Sequence, residues 1–179
     1  MKNDYEIRGD YTAIFLKKRS GEVLECLIDT EMLGRVSVHP NTWYSWKDPK
    51  SKTTYARADI QRNKKRKSVF LHKYLIGNTG DKVIDHINND GLDNRFKNLR
   101  VIKQYENLQN RRGANENSKS GLRNVSWCNT RGKWFVQIRV NNKKKTIGLF
   151  DSLVEVNIAA IKARKNTMKY CKDNTKKKG

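Results

Sequence analysis

Apolar and polar positions alternate in the first part of the chain in the way typical of β-strands. Residues 12–17 and 23–28 form two alternating runs on either side of Ser20-Gly21, a pair that favours a hairpin turn. A short strand over residues 68–71 is predicted to lead into a short helix over 72–75. We therefore expect a β-rich region over residues 1–77.

The centre of the chain has a different pattern. Residues 83–87 are apolar except for Asp85 and His86, and a loop rich in Asn, Asp and Gly follows. A second apolar run covers residues 99–102, and a helix is predicted from about Lys103. The order over residues 78–112 is therefore strand, loop, strand, helix. Residues 113–120, rich in Asn, Ser and Gly, have the composition of a linker.

Strict alternation returns in residues 121–171. One face of a predicted strand carries Trp134, Val136, Ile138 and Val140. The dipeptide Asn141-Asn142 favours a tight turn back through residues 143–147. Ser152 followed by Glu155 is a helix-capping signature, with apolar residues at helical spacing beyond it. The pattern predicts a three-stranded antiparallel sheet covered by one helix, then a basic tail over 172–179, and the fold class is α+β.

The net charge of the chain indicates which kind of molecule it binds. The 179 residues include 39 Lys and Arg against 18 Asp and Glu, which gives a formal net charge of +21. A field of that size and sign favours polyanions, nucleic acid first among them. The basic run over residues 62–67 is predicted to be an exposed loop, and phosphate contact and simple solvation are both compatible with it.

Cysteine usage and hydropathy bear on location. Cys26, Cys128 and Cys171 are widely spaced and odd in number, so neither a disulfide framework nor a zinc ribbon is indicated. The chain has no apolar run long enough to span a membrane, and its N-terminus has no signal-like apolar region. We expect a soluble protein of the cytoplasm of a bacterial or phage-infected cell, without a membrane partner and monomeric.

Four polar residues fall where the predicted strands and helix could bring them together. Asp85 and His86 end the first strand, Asn98 precedes the second, and Asn107 lies on the helix. Phosphodiester hydrolysis needs an oxygen-rich cation site and a base for the attacking water. Asp85 and Asn107 offer hard oxygen ligands to one Mg²⁺ or Mn²⁺, and His86 is a natural base.

The same segments resemble the HNH, or ββα-metal, endonucleases, in particular phage and intron-associated homing enzymes. The resemblance is carried by the runs Leu71-His72-Lys73-Tyr74-Leu75, Val83-Ile84-Asp85-His86-Ile87-Asn88-Asn89-Asp90, Asn98-Leu99-Arg100 and Glu106-Asn107. It implies that Asp85 and Asn107 hold a single divalent ion, that His86 activates water, and that Asn98 braces the loop that orients His86. Many family members have a second His where Asn107 stands.

Residues from about Ser120 to Tyr170 resemble the Apetala, or ethylene-response-factor, DNA-binding domain. The resemblance is carried by the runs Gly121-Leu122-Arg123-Asn124-Val125-Ser126-Trp127, Gly132-Lys133-Trp134, Ile138-Arg139 and Ile147-Gly148-Leu149-Phe150. It implies a sheet lying in the major groove of double-stranded DNA, a geometry that suits a twisted β-sheet. The expected contacts with DNA are Arg123, Trp127, Arg131, Gln137, Arg139 and Lys145.

Alternatives remain open at this point. Trp134 fits either the core or a DNA contact, and residues 143–145 fit either a solvated turn or phosphate contact. His72 fits a structural role or one near the DNA backbone. The whole chain fits a metal-dependent endonuclease that nicks or cuts DNA, or a DNA-binding regulator with an inert HNH remnant. RNA binding is a third possibility that charge alone leaves open.

Overall fold

The computed structural model describes residues 1–62, 65–111, 113–140 and 143–171. It divides into two compact units, Met1–Ile102 and a second that begins at Lys103. The described residues form a mixed α+β structure with small antiparallel sheets and four α-helices, so the α+β prediction is confirmed at that level. Among these residues, no helix is long and apolar enough to cross a membrane.

The first unit opens with a three-stranded antiparallel sheet. It consists of β1 (Tyr5–Arg8), β2 (Tyr11–Lys17) and β3 (Val23–Asp29), in that order. The predicted hairpin is confirmed: β2 and β3 pair around Gly21, whose φ of 88° only glycine adopts without strain. A 3₁₀ turn at Thr30–Met32 then leads into α1 (Leu33–Ser37).

A second sheet follows in the same unit. It is formed by β4 (Tyr44–Lys47), β5 (Thr54–Arg62) and β6 (Lys65–Phe70), and β6 runs directly into α2 (Leu71–Ile76). The basic loop predicted over residues 62–67 is wrong in its described part, because Arg62 pairs with Lys65 at the end of a β-hairpin. Residues 63 and 64 lie outside the described part.

The two sheets share one apolar core. Alternate residues of β2 and β3 meet side chains of β5, α1 and α2, as alternation along a half-buried strand requires. The buried members are Ile14, Leu16, Cys26, Ile28, Val36, Trp43, Ala56, Ala58, Leu71 and Leu75. The first unit ends in a two-stranded ribbon of β7 (Val83–His86) and β8 (Leu99–Ile102), which pair with His86 opposite Leu99.

The second unit begins with the short helix α3 (Gln104–Asn107), where the Glu106 carboxylate accepts a hydrogen bond from the Lys103 amide at 2.8 Å. A sheet of β9 (Val125–Cys128), β10 (Lys133–Val140) and β11 (Lys143–Phe150) follows, and we call it the C-terminal sheet. The predicted turn at Asn141-Asn142 and the predicted tail over 172–179 lie outside the described residues.

One helix covers one face of the C-terminal sheet. α4 (Leu153–Thr167) is capped by Ser152, whose hydroxyl accepts a hydrogen bond from the Val154 amide at 3.1 Å, as its capping signature predicts. Val136 and Ile138 of β10 are buried against Val156 and Ala160 of the helix. The predicted combination of three strands and one helix is therefore present.

Candidate functional site

Asp85 and His86 occupy the last two positions of β7. Their side chains are 8% and 6% exposed, although both are polar. Burial of a carboxylate and an imidazole side by side is unfavourable unless each has partners. The partners of these two residues therefore define the local site.

Arg100 is a hydrogen-bond partner of Asp85. The two residues face each other across the β7–β8 ribbon, and Asp85 Oδ2 accepts hydrogen bonds from Arg100 Nε at 2.9 Å and from Nη2 at 2.6 Å. The guanidinium of Arg100 is thus a charge-assisted hydrogen-bond partner of this buried carboxylate. A divalent cation bound at Asp85 would share the carboxylate with Arg100.

Asn94 is the polar neighbour of His86. His86 Nε2 lies 3.4 Å from Asn94 Oδ1, and if Nε2 carries the proton, Nδ1 carries the lone pair. Burial lowers the pKa of His86 below its usual 6.5. The hydrogen bond to Asn94 and the nearby charge of Asp85 raise this pKa, but burial has the larger effect. The imidazole is consequently neutral at pH 7, the form able to accept a proton.

Aromatic rings also pack against His86. The His72 ring meets it edge-on with centroids 5.1 Å apart, and the Tyr55 ring lies 5.7 Å away. Phe70 stacks on His72 at 5.5 Å with an interplanar angle of 10°. Burial holds the pKa of His72 down at about 3. A neutral His72 packed among rings is a structural neighbour of His86, and sequence patterning did not reveal Tyr55 or Phe70.

Asn98 ties together the loop that follows β7, which we call the Asn-rich loop (residues 87–95). The Asn98 side chain is buried; its Oδ1 accepts from the Asn88 amide at 3.0 Å and its Nδ2 donates to the Asp93 carbonyl at 2.7 Å. It thus bonds to both halves of the loop. This geometry is what the predicted bracing role of Asn98 requires.

The Asn-rich loop is also attached to the first sheet. The Leu27 amide donates to the Leu92 carbonyl at 2.8 Å, and the Asn94 amide donates to the Leu27 carbonyl at 2.7 Å, next to a parallel bridge between Leu27 and Asp93. Asn94 Nδ2 additionally donates to Cys26 Sγ at 3.2 Å. Strand β3, which lies far away in sequence, therefore helps to position the residues around His86.

Gly91 allows this close attachment. A Cβ at position 91 would collide with the Thr54 carbonyl oxygen and would lie 2.5 Å from a carbon of the Tyr55 ring. The loop backbone therefore rests directly on β5 beside one of the rings that pack against His86. Only glycine fits at this position without displacement of Tyr55.

Asn107, the fourth predicted residue, belongs to the second unit, at the end of α3. Its place beside Asp85 and His86 stays a prediction. Among the described residues, no three His, Cys, Asp or Glu side chains are grouped to hold a metal ion. The two predicted ligands, Asp85 and Asn107, include only one side chain of those four types, so this observation does not test them. The predicted Mg²⁺ or Mn²⁺ ion therefore also stays a prediction. Both oxygen donors are of the type these ions bind.

The predicted site is not the large concavity of the first unit. A groove of about 1100 Å³ is bordered by Lys17, Lys18, Arg19 and Lys47 together with polar residues of β4 and β5. None of the described residues that border it is a predicted catalytic residue. Asp85 and His86 instead lie in a packed cluster, so any reacting phosphate would approach its surface.

The predicted DNA contacts do not all lie on one face of the C-terminal sheet. Directly paired residues of antiparallel strands share a face, so Gln137 lies with Thr146, and Arg139 lies with Lys144, on the face away from α4. Lys145 pairs instead with the buried Ile138, although its own side chain is exposed. We call the face of Gln137 and Arg139 the outer face.

Trp127 is on the helix side of the sheet. It pairs with Trp134, and the two rings meet edge to face at 4.9 Å, while Trp127 stays 41% exposed. Trp134 packs against the core, which resolves its open assignment in favour of the core. Arg131 is exposed in the turn between β9 and β10.

Arg123 is engaged within the protein. Its guanidinium donates to the carbonyls of Gln109 at 2.8 Å and Arg111 at 3.0 Å. A contact with DNA by this side chain stays a prediction, and it would require these hydrogen bonds to be exchanged. The structure assigns it a role that sequence patterning missed, the attachment of residues 109–111 to the sheet.

No known family model, curated protein or solved structure matches this chain. The resemblances to HNH nucleases and to Apetala domains therefore rest on the sequence runs that carry them.

Proposed function

We propose that the protein is a metal-dependent DNA endonuclease that hydrolyses phosphodiester bonds, with His86 as the base. The observation that carries the proposal is the burial of Asp85 next to His86 at the end of β7, with Asn98 bonded to both halves of the Asn-rich loop. A carboxylate, a neutral imidazole and a braced loop are the parts that metal-assisted hydrolysis needs.

Each residue has a role in the proposal. His86 takes the proton of the attacking water. Asp85 and Asn107 would bind one Mg²⁺ or Mn²⁺, and the role of Asn107 rests on the sequence alone. The ion supplies Lewis-acid stabilisation of charge on the phosphate oxygens. Asn98 and Asn94 orient the imidazole through the loop, and Arg100 holds the Asp85 carboxylate in place.

The C-terminal sheet would bind the double-stranded DNA. Its outer face presents Gln137, Arg139 and Lys144, and the formal net charge of the chain is +21. Arginine and amide side chains pair with base edges in the major groove, while lysines neutralise phosphate. The described residues of a single copy contain one such cluster, so nicking of one strand is the expected reaction. The homing role follows from the resemblance alone.

Supercoiled plasmid tests the proposal directly. With Mg²⁺ or Mn²⁺ we expect conversion to open circle, abolished by a chelator and reduced about 10²- to 10⁴-fold by His86→Ala, the usual contribution of a general base. Asp85→Asn should act similarly, whereas Asp81→Asn, at an exposed position two residues before β7, should cleave normally. A gel shift without strand cleavage in either metal would favour the DNA-binding regulator instead.

A further inference from the structure

Residues 113–120, predicted to be a linker, are bonded into the second unit, and we call them the edge segment. The Ser118 amide donates to the Asn115 carbonyl at 2.9 Å and the Gly121 amide to the Ser118 carbonyl at 3.2 Å, which forms two successive turns. The Ser120 hydroxyl donates to the Val125 carbonyl at 3.1 Å. The segment is thus fixed to the first residue of β9.

The N-terminal end of the edge segment is held as well. Arg111 Nη1 donates to Asn115 Oδ1 at 2.5 Å. Arg111 is in turn bonded through its carbonyl to the Arg123 guanidinium, which also binds the Gln109 carbonyl. A segment tied at both ends keeps its shape and does not have to be ordered when a partner binds.

The edge segment and the C-terminal sheet enclose a groove of about 510 Å³. Its lining includes Asn115, Asn117 and Ser118 of the edge segment and Ser126 and Gln137 of the sheet. Gln137 is on the outer face, next to Arg139 along β10, so the groove opens beside the surface proposed to meet DNA. The segment therefore extends that surface past the edge strand β9.

The side chains that line the groove indicate which kind of ligand it could bind. Its polar side chains are amides and hydroxyls with Arg111 and Lys119, and none of the described residues bordering it is acidic. Within the described part of the chain, the side-chain amides of Asn117, Asn129 and Gln137 make no hydrogen bond. These amides are available to a ligand that both donates and accepts hydrogen bonds. They lie near the cationic side chains of Arg111 and Lys119, which are suited to contact with phosphate.

We propose that the edge segment, together with Gln137 of β10, is a specificity element that recognises adenine in double-stranded DNA through the Asn117 and Gln137 amides. An Asn or Gln amide makes two hydrogen bonds with adenine, accepting from N6 and donating to N7 in the major groove. No other base presents that pair there, and Arg111 with Lys119 would contact the adjacent phosphates. This inference rests on the proposed DNA binding but not on catalysis.

Selection from a pool of DNA duplexes with a randomised core tests the proposal. The full-length chain is used with a chelator present, so that binding is measured without cleavage. We expect the wild type to enrich a sequence containing adenine, and Asn117→Ala to lower affinity for that sequence about 5- to 150-fold, as loss of a bidentate base contact does. Its affinity for the unselected pool should change less than about twofold.

A second variant tests the chemistry without removing the side chain. Asn117→Asp keeps the shape of the residue but leaves only acceptor oxygens, which pair with the N4 amino group of cytosine. Selection with this variant should replace adenine by cytosine at one position. Because Asn117 is exposed, neither substitution should alter the thermal unfolding of the chain.

Lys144→Gln is the matched control on the outer face. It should weaken binding to selected and unselected duplexes alike. It should also make the binding affinity less dependent on salt concentration, by the amount expected for loss of about one phosphate contact. Unchanged enrichment in both Asn117 variants, no enrichment by the wild type, or tighter binding to an RNA pool would each overturn the proposal. Plasmid nicking is measured separately, so loss of the nuclease function would be recognised independently.

Discussion

The Asn-rich loop of the first unit and the outer face of the C-terminal sheet both present polar side chains, but in opposite surroundings. Around His86, Asn94 and Asn98 are buried and bonded to the protein. On the outer face, Arg139 and Lys144 are exposed. The polar groups around His86 are therefore held at fixed positions by buried partners, whereas those of the outer face, which we propose to meet DNA, are exposed to water.

The two regions should therefore respond differently to substitution. Loss of a buried, hydrogen-bonded group leaves its partners unsatisfied and costs folding free energy. Loss of an exposed group costs little stability and acts mainly on binding. Measurements of unfolding and of DNA binding on the same variants can separate the two effects.

The largest effect on stability is expected for Asn98→Ala. The change removes the acceptor of the Asn88 amide and the donor to the Asp93 carbonyl, so we expect a loss of about 2 to 5 kcal/mol in the free energy of unfolding. Urea unfolding followed by circular dichroism measures it. Asn129→Ala, at an exposed position in the second unit, is the control and should change stability by less than about 0.5 kcal/mol.

Gly91→Ala should have the next largest effect. The added methyl group meets the Thr54 carbonyl and the Tyr55 ring, so we expect a cost of about 1 to 3 kcal/mol and slower plasmid nicking. Gly34→Ala adds the same methyl group to α1, where nothing lies within 4 Å of it, and it should be neutral or stabilising. Equal stabilities of the two variants would contradict the packing of the loop on β5.

Acid should destabilise the first unit through His72. Its pKa is about 3 in the folded chain against the usual 6.5, so between these values the unfolded chain binds a proton that the folded chain does not. Stability from this group is complete above pH 6.5 and falls by about 1.4 kcal/mol per pH unit below it. Urea unfolding of the wild type and of His72→Phe across this range should show a shallower decline in the variant.

The smallest effect on stability is expected on the outer face. Arg139→Gln should leave the free energy of unfolding within about 0.5 kcal/mol of wild type and should weaken binding to duplex DNA. Trp127→Ala, on the helix side of the same sheet, should instead cost about 1 to 3 kcal/mol because it breaks the contact with Trp134. If Arg139→Gln proved the more destabilising of the two, the division of the sheet into two faces would be wrong.

Periodicity predicted the elements well where it was regular. The β2–β3 hairpin, the β7–β8 pair, and β10 with its covering helix all follow from alternation or helical spacing that a local window contains. The hairpin ending at Arg62 and Lys65 was missed because a run of basic residues has low strand propensity. Pairing with a neighbouring strand stabilised it nevertheless.

The residues that contact the candidate site were harder to predict from the sequence. Arg100 could have been predicted, because an antiparallel pair of the two central strands places it opposite Asp85. Cys26, Leu27 and Tyr55 could not, since no local pattern records which distant strand a loop will lie against. The edge segment has the composition of a linker because Asn and Ser are common in mobile chains, whereas its hydrogen bonds through Asn115 and Ser120 depend on neighbours that composition does not record.

The bridge between Leu27 and Asp93 determines which fragment of this chain could be transplanted. A graft that carried only residues 83–107 into another scaffold would leave the Leu92 carbonyl and the Asn94 amide without the backbone that they bind in the native chain. The smallest portable version of the motif must include the β2–β3 hairpin, more than fifty residues upstream of His86.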